Sequence, residues 1–274
     1  MTTIHVLKLG GGAGVEHAAA LRNLASRILD GEPWVLVHGC SAAADDLALQ
    51  VGYTVQTITS PGGYTSRYTD ARMIEIYSAA AASVNQQLTA QLVGHGVRAV
   101  GLAGPGVIYA RRKEAIRAIR DGRPVIIRDD YSGTITGTAT GLLHTLLDAG
   151  LTPVVAPLAI GEQFERLNVD GDLAAAAIAR ELGANTLIIL SNVPGLLRDV
   201  DDPASVVPQF GLHEMARHEP LAQGRMKKKL IAAQQAEIER VILADARVDY
   251  PLDDALNGAG THIVREVVYA GHGD

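Results

Sequence analysis

Ile4-His5-Val6-Leu7-Lys8-Leu9-Gly10-Gly11-Gly12 is a run of β-favouring apolar residues that carries one lysine and then breaks into glycines. It reads as a buried strand delivering a cation to a backbone loop at its carboxyl end. The same order returns at Trp34-Val35-Leu36-Val37-His38-Gly39-Cys40-Ser41, ahead of a helical pattern from Ala42 to Val51. In an open α/β sheet, ligands bind outside the carboxyl ends of the strands, where helix N-termini present unsatisfied N–H groups to phosphate. Two such turns point to one phosphate site. Neither matches the P-loop pattern or the dinucleotide fingerprint, so glycines that merely let a strand turn tightly into a helix stay open as the alternative.

Outward from this start, helical patterns alternate with short Val/Ile/Leu runs, as in a mainly parallel sheet covered on both faces. Helices are expected over Val15–Leu29, Ala42–Val51, Ala71–Gly94, Gly141–Ala149, Leu173–Leu182 and Leu230–Ile238. Strands are expected at Trp34–Val37, Val97–Leu102, Thr152–Pro157, Thr186–Leu190, Val241–Ala244 and Thr261–Val268. Asp70 sits where it would cap the long third helix.

The 274 residues are 47% hydrophobic, enough for one large α/β domain. A net charge of −6 gives no support to general nucleic-acid binding. The single cysteine, Cys40, rules out an intrachain disulfide framework and a cysteine metal cluster. No signal-peptide pattern opens the chain and no apolar run reaches membrane-spanning length, so a cytoplasmic chain with no membrane partner is expected.

Three segments carry more polarity than their elements need. Arg111, Arg112, Lys113, Arg117, Arg120, Arg123 and Arg128 crowd one stretch, either as a solvated face or as a surface for an acidic partner. Asn168, Asp170 and Asp172 precede or open a helix, where one cap would suffice. Lys227, Lys228 and Lys229 follow Gly224-Arg225-Met226 at a helix start, where cations oppose the macrodipole and call for an anion.

Taken in order, Lys8-Leu9-Gly10-Gly11, His38-Gly39, Gly62-Gly63 to Arg67, Asn168 to Asp172, Ser191-Asn192-Val193-Pro194-Gly195-Leu196, and Gly224-Arg225-Met226 with Lys229 resemble the amino acid kinase superfamily in its acetylglutamate kinase branch. Ser66 to Asp70, Leu102 to Gly106, Arg111-Arg112-Lys113, Arg128 to Thr134 and Gln223 to Lys229 are more similar to the LysW-aminoadipate/LysW-glutamate kinases within it. The resemblance implies an open αβα sandwich and MgATP-dependent phosphorylation of a side-chain carboxylate to an acyl phosphate. The amino group of that substrate would be tethered to a small acidic LysW-type carrier protein.

By the same resemblance, Lys8 and Lys229 would stand at the two ends of the transfer, with Asp172 orienting both. Gly10, Gly11, Gly39 and Cys40 would offer N–H groups to the phosphates, and Ser191, Asn192, Gly195 and Met226 would line the nucleotide. Gly62, Gly63, Arg67 and Asn168 would hold the substrate, while Arg111, Arg112, Lys113, Arg117 and Arg128 would dock the carrier. No protein metal site is implied beyond Mg2+ arriving with ATP. Residues 1–164 would bind the acyl substrate and form a homodimer, and residues 165–274 would bind ATP. Arginine feedback is not expected, since no long N-terminal helical extension is present.

One departure stands out. The family usually has His-Gly-Gly where this chain has His38-Gly39-Cys40, so a Cβ and thiol would either crowd the phosphates or leave the N–H usable. Two other functions stay open: an acetylglutamate kinase acting on the free acetylated acid, and a silent nucleotide- or amino-acid-binding regulator on the same fold. RNA binding lacks interleaved aromatics.

Overall fold

The computed structural model describes residues 3–12, 17–61, 63, 65–120 and 123–265. Its centre is an eight-stranded sheet in the order Gln209–Gly211, Thr261–Val264, Arg240–Asp245, Thr186–Ser191, His5–Leu9, Trp34–His38, Thr152–Val155, Ala99–Leu102. All neighbours run parallel except Arg240–Asp245 against Thr261–Val264. The mainly parallel αβα sandwich expected from the sequence is therefore present.

Alternation along the strands explains why both faces are covered. Val6, Val35, Val37, Leu187 and Ile189 join one core, beneath the helices Gly171–Leu182 and Arg225–Ala236. Leu7, Leu9, Trp34, Leu36, Ile188 and Leu190 join the other, with the helices His17–Leu29, Ser41–Gln50 and Ala71–Gly94. In Gly171–Leu182 the run Ala174–Ala177 is buried throughout, and these small side chains let the helix lie close to the sheet. Among the described residues no helix is long and apolar enough to cross a membrane.

The His5–Leu9 strand sits mid-sheet, pairing Lys8 with Ile189 on one side and Val37 on the other. Both glycine turns thus leave neighbouring strands at the same edge. The region around residue 164 is a hairpin, Leu158–Ile160 antiparallel to Arg166–Asn168.

The basic segment folds differently from its composition. It supplies strands Ile108–Arg112, Ile116–Arg120 and Arg123–Ile127 to two small four-stranded sheets. In Ile116-Arg117-Ala118-Ile119 only Ala118 is fully buried, and the open face carries both Arg117 and the exposed Ile119, so a hydrophobicity reading misses the period-two pattern.

Candidate active site

Lys8 is the penultimate residue of its strand, beneath the helix Gly171–Leu182, and Lys229 is the fifth residue of Arg225–Ala236. Their ammonium groups meet on one carboxylate: Lys8 Nζ lies 2.7 Å from Asp172 Oδ1 and Lys229 Nζ 2.9 Å from Asp172 Oδ2. All three are less than a tenth exposed. Burial alone would push the Asp172 carboxyl up, but Lys8 and Lys229 outweigh it and hold the group well below the usual carboxylate range. Burial pushes the Lys229 ammonium below its ordinary value, with Asp172 opposing. Two cations on one anion leave a net positive charge in a dry site, which favours a further anion.

The surplus of polar residues at the head of this helix is also resolved. Asp170 is the cap, its Oδ1 accepting from Asp172 N at 2.9 Å and Leu173 N at 3.2 Å. Its Oδ2 lies 3.2 Å from Lys228 Nζ. Asp170 and Asp172 are thus the anions that the lysine-rich helix start requires. The Asp170–Lys228 contact was not foreseen in sequence, because it depends on two helices meeting.

The glycine turns pack back to back. A Cβ on Gly11 would fall 2.0 Å from the Gly39 carbonyl carbon and 2.3 Å from Cys40 N, so neither turn tolerates a side chain facing the other. Two expected phosphate donors need correction. Gly10 N–H donates to Leu190 O at 3.1 Å and Gly39 N–H to Leu9 O at 2.8 Å, both extending sheet pairing past the strand ends. Among the described residues the N–H groups of Gly11 and Cys40 have no partner inside the chain, and these are the donors left for an anion.

Cys40 does not crowd the site. Its φ is −144° and it precedes the helix Ser41–Gln50, while its side chain is buried in the core. Burial pushes the thiol up to about 11, against the opposing pull of a hydrogen bond with Tyr77, so it is protonated and no nucleophile. Gly171 lies beside Lys8, where a Cβ would be 3.4 Å from Lys8 Cε and 3.6 Å from His38 O. A Cβ on Gly12 would be 2.9 Å from an Arg225 guanidinium nitrogen. The amino ends of three helices thereby converge on the two turns.

On the other side of the turns, Arg67 from the strand Thr65–Arg67 pairs with Asp45 and donates to Ser41 O at 3.2 Å. Asn168 Nδ2 donates to the Thr69 hydroxyl at 3.0 Å, and Thr69 N–H donates to the fully buried Asp130 at 2.9 Å. Asp70 caps the helix Ala71–Gly94 as expected, accepting from Met73 N at 2.7 Å. Arg67 and Asn168 thus flank Thr69. Gly63 is described with a positive φ of 78°, and Gly62 lies outside the described residues.

Of the residues expected to face nucleotide, Ser191 is buried at the end of its strand and Asn192 is exposed beyond it. Gly195 instead answers a packing need, since a Cβ there would lie 2.6 Å from Thr261 Oγ1. Met226 packs partly buried against the core. A cleft of about 480 Å3 opens beside this helix head, lined by Glu219, Pro220, Gln223, Gly224 and Lys227 among others.

The basic segment divides. Arg111, Lys113, Arg117 and Arg128 are exposed. Arg112 is committed to the fold: its Nε donates to Asp130 O at 2.8 Å and its guanidinium lies 3.8 Å from the Tyr131 ring centroid. Arg112 is therefore removed from the set of free docking cations.

Residues 3–244 match the model of the amino acid kinase family. The LysW-aminoadipate kinase of Deinococcus radiodurans is 40% identical over 262 residues, covering 93% of this chain and 90% of that protein. The LysW-aminoadipate kinase of Thermus thermophilus is 39% identical, covering 93% and 98%. Among solved structures, the N-acetylglutamate synthase of Neisseria gonorrhoeae in complex with coenzyme A and N-acetyl-glutamate superposes with a TM-score of 0.78 at 25% identity, covering 97% of this chain and 60% of that one. The carbamate kinase of Giardia lamblia bound to AMP-PNP shares the fold, with a TM-score of 0.68 at 17% identity. With a paired-lysine carboxylate at the mouth of two glycine turns and these relatives across nearly its whole length, the chain belongs to the amino acid kinase family and is an ATP-using phosphotransferase of amino acid biosynthesis.

Proposed function

We propose that this chain is a cytoplasmic kinase that phosphorylates the side-chain carboxylate of 2-aminoadipate or glutamate carried, through its amino group, on an acidic LysW-type protein. The observation that carries the reading is the Asp172 carboxylate bridging Lys8 and Lys229. Phosphoryl transfer from ATP to a carboxylate brings an anion against a polyanion, so catalysis rests on positioning and on neutralising charge as it moves. A carboxylate oxygen attacks the γ-phosphorus, the bond to the β-phosphate bridging oxygen breaks, and acyl phosphate and ADP result. The carboxylate is already ionised at neutral pH, so no general base is needed.

Lys8 serves the transferring oxygens, Lys229 the leaving β-phosphate, and Asp172 holds the two lysines apart and in place. Gly11 and Cys40 N–H groups face the phosphates, with the nucleotide continuing past Ser191 and Asn192 toward the cleft beside Met226. Mg2+ would arrive on the ATP phosphates and supply neutralising charge there, while Asp170 and Asp172 are engaged by lysines. Arg67 takes the substrate α-carboxylate in its fork, and Asn168 with Thr69 holds the neighbouring polar groups. On this reading residues 1–164 supply the acyl side and a homodimer contact, and residues 165–274 supply most of the ATP side.

The exposed Arg111, Lys113, Arg117 and Arg128 favour a carrier-bound substrate over a free one, because an acidic protein is steered by such a field and a small acid needs far less of it. The deciding experiment traps the acyl phosphate as hydroxamate, with free N-acetylglutamate in one reaction and carrier-conjugated aminoadipate or glutamate in another. Turnover confined to the conjugate is expected. Turnover of the free acetylated acid alone would reassign the chain to acetylglutamate phosphorylation, and ATP binding without turnover of either would favour the regulatory alternative.

A further inference from the structure

Asn85 projects from the middle of the helix Ala71–Gly94 and is buried beneath the carboxyl ends of three strands. Its Nδ2 donates to Val154 O at 2.8 Å and lies 3.2 Å from His38 Nε2, with Leu102 O further away at 3.4 Å. The two carbonyls fix which end of the amide is nitrogen, so His38 Nε2 must be the acceptor. The remaining imidazole proton then sits on Nδ1, which donates to Gly39 O at 3.2 Å. Burial lowers the His38 pKa to about 4, which keeps the ring neutral under ordinary conditions and preserves this direction of bonding.

Two glycines are shaped around the arrangement. A Cβ on Gly101 would lie 2.3 Å from Asn85 Oδ1, and a Cβ on Gly39 would lie 2.5 Å from Gly11 N. The first lets the amide into the strand ends. The second leaves the Gly39–Cys40 peptide pressed on the first glycine turn, with Cys40 N–H unpartnered among the described residues. A peptide has one rotational choice: its C=O and N–H point opposite ways, so anchoring Gly39 O on one side aims Cys40 N–H to the other.

We propose that Asn85 is a positioning residue for phosphoryl transfer, acting through His38 to hold the Gly39–Cys40 peptide so that Cys40 N–H is presented to the transferring phosphoryl group. This rests on the proposed placement of phosphates at the glycine turns. Its effect lies in the chemical step, because a donor swung out of line is lost mainly where charge moves.

The test compares the parent with Asn85→Asp, His38→Asn and His38→Gln, by nucleotide titration, steady-state kinetics and 15N NMR of the histidine side chains. The parent His38 should show the neutral Nδ1–H form. Asn85→Asp turns a donor into an acceptor, so His38 gains a proton at Nε2, and kcat should fall by about 10- to 100-fold. KM for the acyl substrate should stay within about twofold, as only positioning at the phosphates is touched. His38→Asn, whose amide reaches the Nδ1 position, should retain at least about tenfold more kcat than His38→Gln, which lacks that donor. If Asn85→Asp fails to fold, the parent His38 tautomer decides whether Asn85 sets the ring, and the His38 pair decides whether the Nδ1 donor holds the peptide. An Nε2–H parent tautomer, an unchanged kcat in Asn85→Asp, or equal losses in the two His38 variants would overturn the proposal. A parent that neither binds nor turns over ATP would instead overturn the functional reading, and the NMR result would stand apart from it.

Discussion

At the scale of single residues, Asp172 bears the greatest consequence. It offsets two buried ammonium groups, so Asp172→Asn leaves both uncompensated at close range. A loss of roughly 3–5 kcal/mol of stability is expected for breaking such a buried set, measured as a lowered urea midpoint; an unchanged midpoint would mean that the lysines have other partners. His38 supplies a pH-dependent term. Its folded pKa of about 4 lies below the roughly 6.5 of an unfolded histidine. The unfolded chain therefore takes up the proton first as pH falls, and stability present at neutral pH declines between about pH 6.5 and 4, by on the order of 3 kcal/mol. Asp172, also depressed, adds a loss of the same sign at lower pH. Urea midpoints across this range should fall in the parent and fall less steeply in His38→Asn; parallel slopes would show that His38 is not the titrating group. The lysines and Asp172 were legible in sequence, since each stands out against its element. Asn85 was not, because one amide in an Ala-rich helix looks like surface until the strands are seen above it.

At the scale of elements, the two glycine turns behave as one object. Gly11→Ala forces its Cβ onto the Gly39–Cys40 peptide and should lower turnover by more than about 10²-fold by displacing the N–H pair. Parent-like turnover of a folded Gly11→Ala protein would show that the turns can separate without cost to the chemistry. Element boundaries followed the sequence well where burial and capping agree, as in Ala71–Gly94 behind Asp70 and the strand His5–Leu9. The expectation that Gly10 and Gly39 offer N–H groups failed for a physical reason: sheet pairing runs one residue beyond each strand and uses them. Such register is set by neighbouring strands and is invisible in either segment alone. The arginine-rich strands of the small sheets were illegible likewise, since their open faces mix arginine with exposed Tyr109, Ile119 and Ile126 and leave no clean apolar alternation.

For the whole molecule, charge is segregated: an acidic chain keeps a buried cationic site and an exposed basic edge. Carrier association through that edge should weaken with added salt as the Debye length falls below about 10 Å, read as a falling kcat/KM for the conjugate. Replacing Arg111, Lys113, Arg117 and Arg128 together by alanine should lower kcat/KM and its salt dependence, and a salt-insensitive reaction would contradict steering. Arg112→Ala should separate from these. Losing its bond to Asp130 O and its stacking on Tyr131 should cost about 1–3 kcal/mol of stability, whereas Arg111→Ala should stay within about 0.5 kcal/mol. Equal stability of the two would place Arg112 back among the docking cations. The central claim is that Lys8 and Lys229, held on Asp172, flank a moving phosphoryl group. Its most direct test is single-turnover transfer from ATP to the carrier conjugate in Lys8→Ala and Lys229→Ala, with ATP affinity measured alongside. Transfer slowed by about 10²-fold or more in each, in folded protein, is predicted; transfer near the parent rate in both would contradict the claim.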